Sequence, residues 1–279
     1  MNPFAKATGL SDPHARVFND RVYLYTGHDG DPDDRDWVMR DWRIFSSDDL
    51  VHWRAEGLIS PADNYMGAGS TDCWAGDAAE RDGRYYWYFS DRTRGIGVMT
   101  ADRPEGPFRD PLGEPLVAPM HDPTILIDDD PSRTPWMLYG EKSRGYHLIR
   151  LNEDMISPAD QPRPIEIRGK AWEDAPGWMD KNYLFKRNGV YFLNWGKDYA
   201  VSDRIEGPYA CRGSVGEGEG LSRYAHGSFF QWAGRDYHIW CRYIRGGYKF
   251  RELVIRPCRI DGDRIETLVD ERIPGLEGT

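Results

Sequence analysis

SDPHARVFNDRVYLYTGHD, residues Ser11–Asp29, joins a carboxylate to a hairpin. Asp12 stands before Pro13. An apolar strand over Ala15–Phe18 follows, then a turn at Asn19-Asp20, then a second strand over Val22–Tyr25 that ends in His28-Asp29. A residue before proline is held extended, which puts Asp12 at a strand entrance. The layout returns further on. His121-Asp122-Pro123 precedes a strand over Thr124–Ile127 and another over Trp136–Tyr139. A carboxylate at the mouth of one hairpin, repeated at another, predicts a site shared between repeated units.

The same hairpin rhythm runs through the chain. NDRVYLYTG, DGRYYWYFS, SRTPWMLYG, NGVYFLNWG and AGRDYHIWC each place a short turn before an aromatic strand. Their anchors are Tyr23, Tyr86, Trp136, Phe192 and Tyr237, spaced by 63, 50, 56 and 45 residues. Asp-Gly and Asn-Gly are strong hairpin turns, because both central residues must reach positive φ. Glu-Gly-Pro-aromatic occurs twice, at 105–108 and 206–209, as internal self-similarity. About 50 residues per unit fits one four-stranded propeller blade. The expected fold is therefore all-β: a five-bladed β-propeller, one domain over residues 1–279. A β-sandwich rich in hairpins is the rival. No stretch reads as a long amphipathic helix. Gly30–Asp41, Ile59–Asp72 and Gln161–Trp178 are expected as loops over one face.

Composition narrows the function. Aromatic residues make up 13 % of the 279 residues, with 11 Trp and 16 Tyr, yet mean hydropathy is −0.71. That mix suits strands around a wet, aromatic-lined cleft. The net charge of −10 argues against nucleic acid and anionic membrane as partners. An uncharged sugar is compatible with it. The start, MNPFAKATGL, lacks the basic and apolar regions of a signal peptide, and no apolar run approaches the roughly 18 residues of a spanning helix. Cys73, Cys211, Cys241 and Cys258 lack metal-type spacing. They read as reduced thiols of a cytoplasmic protein, although a secreted protein trimmed of its leader has the same features.

Propellers carry function where loops converge on the central channel. Asp12 precedes the inner strand of the first blade, Asp77 that of the second, Asp122 that of the third and Asp180 that of the fourth. In the fifth the matching stretch is Tyr224-Ala225-His226-Gly227-Ser228. Any one aspartate taken alone reads as a turn cap. Repeated at equivalent places, the set predicts carboxylates and a histidine around one pocket. Trp74, three residues before Asp77, and Trp178, two before Asp180, are candidates to stack on sugar rings. His28 and Asp77 are further candidate substrate contacts.

These stretches resemble glycoside hydrolase family 43, five-bladed propeller enzymes acting on arabinose- and xylose-containing glycans. The likeness is carried by SDPHARVFNDRVYLYTGHD, IFSSDDLVHW, CWAGDAAERDGRYYWYFS, MHDPTILIDDD, YLFKRNGVYFL and AHGSFF, in order from residue 11 to about 230. It implies inverting hydrolysis with three acids. Asp12 falls on the general base. Asp122 falls on the acid that orients the general acid and tunes it. Arg251, in KFREL, matches a substrate-binding arginine of the fifth blade. His226 falls on a histidine that reaches a central ion, commonly calcium and mostly through water, or water alone. No cofactor is required.

Blade four departs from the family pattern. The general acid is usually Glu in a Glu-Gly-Pro triplet, and here Asp180-Lys181-Asn182 occupies that place. Asp180 is the expected acid, with Glu173 in AWEDAPGWM as the alternative. Family 117 and other five-bladed relatives vary the acid too, so a side branch of this kind is also consistent. The expected function is an exo-acting inverting glycosidase on short plant- or algal-type oligosaccharides, like an arabinofuranosidase, xylosidase or galactosidase. A sugar-binding propeller that lost turnover is the alternative, and a protein-interaction propeller the third reading.

Overall fold

Each expected hairpin is the inner pair of one sheet. The structure, a computed structural model, describes residues 2–91, 93–218, 221–244 and 246–276. The remainder, including both ends of the expected domain, lies outside the described set. Blade one is β1 (Leu10–Phe18), β2 (Arg21–Asp29), β3 (Met39–Ser47) and β4 (Arg54–Ile59). Blade two is β5 (Gly76–Arg81), β6 (Arg84–Asp91) and β7 (Gly95–Ala101). Single bridges from Ile96 to Val117 and from Thr100 to Arg109 stand in for its fourth strand. Blade three is β8 (Thr124–Ile127), β9 (Pro135–Glu141), β10 (Gly145–Arg150) and β11 (Arg163–Pro164). A short strand β12 (Ile167–Arg168) and helix α1 (Lys170–Asp174) lead into blade four, which holds β13 (Asn182–Arg187), β14 (Val190–Trp195), β15 (Asp198–Ser202) and β16 (Tyr209–Ser214). Blade five is β17 (Tyr224–Trp232), β18 (Arg235–Tyr243), β19 (Arg251–Asp261) and β20 (Arg264–Thr267).

The turns behave as their sequences require. Both central residues have positive φ at Asn19-Asp20, Asp82-Gly83, Asn188-Gly189 and Ala233-Gly234. Such turns match the right-handed twist of the flanking strands. Innermost strands then pack side by side and close a ring: β1 on β5, β5 on β8, β8 on β13, β13 on β17 and β17 on β1.

The aromatic runs follow from this ring, because a blade is covered on both faces. In RYYWYFSD, Tyr85, Trp87 and Phe89 pack toward blade one with Tyr25, Trp42 and Ile44. Tyr86 and Tyr88 point the other way, onto Met137 and Ile149 of blade three. Period-two alternation thus splits one apolar run between two cores. Equivalent cores fill the other blade junctions, with Leu138, Leu184 and Trp195 between blades three and four, Phe192, Trp240 and Val254 between four and five, and Leu24, Ala225 and Ile255 between five and one.

The expected loop over Gln161–Trp178 contains structure. β11 extends blade three, and β12 runs parallel to β16 on the edge of blade four. Helix α1, five residues long, follows. No helix of the described residues is long and apolar enough to cross a membrane.

Candidate active site

Where the strands enter the ring, three aspartates meet. Asp12 lies inside β1, where a bulge between Ser11 and His14 breaks the register with β2. The expectation of extended backbone before proline fails here. Asp12 has φ +46° and Asp122 φ +51°. Aspartate tolerates the left-handed region because its short polar side chain bonds locally, and bulges redirect side chains beside active sites. The surroundings hold the turn. Asp12 N donates to Cys241 Sγ at 3.2 Å, and burial pushes that thiol up to about 12, so it remains a neutral acceptor.

Arg251, the first residue of β19, holds Asp12 and Asp29. Its Nη1 donates to Asp12 Oδ1 at 2.7 Å, while Nη2 and Nε donate to Asp29 Oδ1 and Oδ2 at 2.8 and 3.0 Å. The guanidinium also lies 5.1 Å from the Trp37 ring centroid. Burial alone would push the Asp12 carboxyl up, but Arg251 and His226 outweigh it and hold it well below the usual carboxylate range. The charged form of Asp12 is thereby favoured.

His226 lies beneath the carboxylates, fully buried. Its Nδ1 is 3.3 Å from Asp12 Oδ1 and 3.8 Å from Asp122 Oδ2, and its Nε2 is 3.2 Å from Asn182 O. Burial works against a charge on this ring, but Asp12, Asp122 and Asp180 prevail and push it up. His14 meets it edge-on at 5.2 Å and is pushed down to about 4 by burial, the direction opposite to His226. His226 Nε2 thus faces a backbone carbonyl, while its Nδ1 faces both carboxylates without a hydrogen bond to either. Among the described residues no group of three or more His, Cys, Asp or Glu could hold a metal ion.

Asp122 also acts on blade four. Its Oδ2 accepts from Lys181 N at 2.9 Å, fixing the backbone next to Asp180. Tyr146 Oη donates to Asp180 O at 2.5 Å. Behind Asp180, His121 Nδ1 lies 4.0 Å from Asp180 Oδ2, and its Nε2 lies 3.5 Å from Glu141 Oε2. The pocket, about 300 Å³, is lined by Asp12, Asp122 and Asp180 with Arg251, and is walled by Trp37, Trp74, Trp178, Tyr243 and Tyr248.

Three expected site residues lie elsewhere. His28 is one residue out of register. It turns to Asp41, 3.1 Å away, while Asp29 beside it faces Arg251, because neighbours on a strand point to opposite faces. Glu173 is exposed on α1, outside the pocket lining. Asp77 sits deeper in the channel, because Trp74 and Ala75 already occupy the pocket level of blade two. Arg16 grips it through Nε at 3.0 Å and through Nη2. Ile125 N donates to it at 2.8 Å, and Thr124 Oγ1 at 3.2 Å. Burial would push the Asp77 carboxyl up, but Arg16 holds it below the usual range.

Asp77 is thus a brace across three blades. Removing one partner of a buried pair costs about 3–5 kcal/mol, so Asp77→Ala should lower Tm by several degrees. Arg16→Met with Asp77→Leu should cost less than either single change. The carboxylate's contribution is present above the unfolded value of about 3.9, and is lost as pH falls through the lower folded value. An unchanged Tm in Asp77→Ala would contradict the brace.

The family model for glycosyl hydrolases family 43 matches residues 1–265. The chain belongs to glycoside hydrolase family 43. It is therefore a glycoside hydrolase of an inverting family. A β-D-galactofuranosidase of Aspergillus niger is 30 % identical over 267 residues, covering 82 % of this chain and 72 % of that protein. Xylosidase/arabinosidase 43A of Humicola insolens is 27 % identical, covering 94 % of this chain and 97 % of its own. Among solved structures, a family 43 β-xylosidase/α-arabinofuranosidase from a compost microbial metagenome, in complex with xylotriose and in a calcium-free form, superposes with a TM-score of 0.82. It is 25 % identical, covering 96 % of this chain and 97 % of the other.

Proposed function

We propose that this family 43 chain removes single terminal sugars from short oligosaccharides with inversion, Asp12 acting as base and Asp180 as acid. One observation carries the reading. Asp12, Asp122 and Asp180, from three different blades, enter one small aromatic-walled pocket beside Arg251. A pocket of about 300 Å³ is at the small end of ligand sites, which suits a chain end rather than a chain middle.

In the step, Asp12 takes a proton from water while the water oxygen bonds to the anomeric carbon from the face opposite the leaving group. The bond from that carbon to the glycosidic oxygen breaks, and Asp180 protonates the departing oxygen. One water is consumed. Asp12 ends protonated and Asp180 ionised, and exchange with solvent restores both. Asp122 keeps Asp180 in place through the backbone of Lys181. Arg251 fixes Asp12 and faces the sugar.

The relatives point to α-L-arabinofuranosides, β-D-xylosides and β-D-galactofuranosides as first substrates. Release of 4-nitrophenol from these three, followed by product analysis on oligosaccharides, tests the reading. Monosaccharide as sole early product supports it, and internal cleavage contradicts it. Tight sugar binding without turnover would favour the sugar-binding alternative, whose motive is aspartate in the acid's place. His226 Nδ1, 3.3 Å from Asp12 Oδ1 and 3.8 Å from Asp122 Oδ2, adds a metal-independence prediction, because a protonated imidazole among carboxylates already supplies the positive charge there. EDTA should leave kcat/KM unchanged, and added calcium should not raise it. Loss on chelation with recovery on calcium would overturn this.

A further inference from the structure

The rim of the pocket holds a charge that the catalytic cycle does not use. Trp178 is 62 % and Tyr248 69 % exposed, and both line the pocket. Large exposed aromatics beside a site mark a surface that something covers. Lys181 stands among them. Its Nζ lies 5.3 Å from the Trp178 ring centroid and 5.1 Å from that of Tyr243, and donates to Tyr243 Oη at 2.9 Å. The Tyr243 and Tyr248 rings meet edge-on at 5.5 Å.

Lys186, Lys170 and Lys197 each have a carboxylate within 4.0 Å. Among the described residues no carboxylate comes that close to Lys181. An ammonium has three donors, and Tyr243 takes one. The backbone of Lys181 is fixed as well, with φ +57° and its N–H bound to Asp122. A fixed cation among aromatic faces, at the open side of a sugar pocket, complements a ring that carries a negative charge.

We propose that this rim is a leaving-group subsite for a sugar bearing an anionic group, a uronate carboxylate or a sulfate ester. Lys181 Nζ is the counter-ion, and Trp178 and Tyr248 are the stacking faces. The proposal rests on the glycosidase reading for the identity of the ligand as a glycan, and the test separates the two.

The probe is a xylo-oligosaccharide carrying one glucuronic acid, compared with the same molecule whose carboxyl is reduced to an alcohol, and with a sulfated analogue. Calorimetry on Asp12→Asn reads binding without turnover. The acid should bind about tenfold tighter than the reduced form, the scale of one charge-assisted contact of about 1.4 kcal/mol. The advantage should shrink in high salt. It should vanish in Asp12→Asn with Lys181→Met, and persist in part with Lys181→Arg. The sulfated arm shows which anion fits better. Equal affinity for acid and reduced forms, an advantage that survives Lys181→Met, or no binding of either form overturns the subsite. Wild-type turnover with no acid preference would leave the hydrolase and remove the subsite. Acid preference in binding with no glycoside ever hydrolysed would do the reverse.

Discussion

Asp12→Asn should lower kcat by about 10²–10⁴-fold, the range for loss of a general base, while sugar affinity stays close to wild type. The side chain is buried and nearly isosteric with asparagine, and its main partner, Arg251 Nη1 at 2.7 Å, keeps an oxygen to bond. What disappears is the charge that accepts the water proton. Azide needs no base, so it should restore turnover in this variant and give a glycosyl azide of inverted configuration. Near-normal turnover in Asp12→Asn would place the base elsewhere. Loss without azide rescue, together with lost sugar binding, would make Asp12 only a partner for Arg251.

Asp180→Asn should cost about 10³-fold on oligosaccharides, whose leaving groups need a proton, and little on dinitrophenyl glycosides, whose leaving groups do not. That split reads acid catalysis and not damage to the pocket. Glu173→Gln should change neither rate, since Glu173 is exposed on α1 and away from the lining. Asp180→Glu adds one C–C bond, about 1.5 Å. Inverting sites accept roughly 6.5–9.5 Å between acid and base, so this variant should keep activity and alter the preference among substrates. A leaving-group-dependent loss in Glu173→Gln, with none in Asp180→Asn, would reverse the assignment.

The architecture was legible because its signals are local. Turn pairs such as Asp82-Gly83 and Asn188-Gly189 need only neighbouring residues, and five hairpins at blade spacing fit a ring. Asp12, Asp122 and Asp180 were legible because each stands at or near the start of an inner strand, and Trp74, Trp178 and Arg251 also line the pocket. The misplacements come from register. His28 and Asp29 are adjacent, and which of them faces inward depends on where β2 pairs, which a sequence does not state to one residue. Asp77 follows the same rule along the channel axis, since Arg16 and Ile125 fix its depth from two other blades. The left-handed turn at Asp12 depends on Cys241, 229 residues away. Trp37, Lys181, Tyr243 and Tyr248 were missed because they gather only when loops from three blades converge. The surroundings of His226 were not legible either, because Asp12 and Asn182 reach it from different blades.

Two carboxylates acting from opposite sides of the anomeric carbon hydrolyse a glycoside by a single displacement, which inverts that carbon. Proton NMR of the anomeric region during hydrolysis of the best 4-nitrophenyl glycoside tests it most directly. The first sugar released should have the anomeric configuration opposite to the substrate, with the other anomer growing in only by mutarotation. The retained anomer appearing first would contradict it.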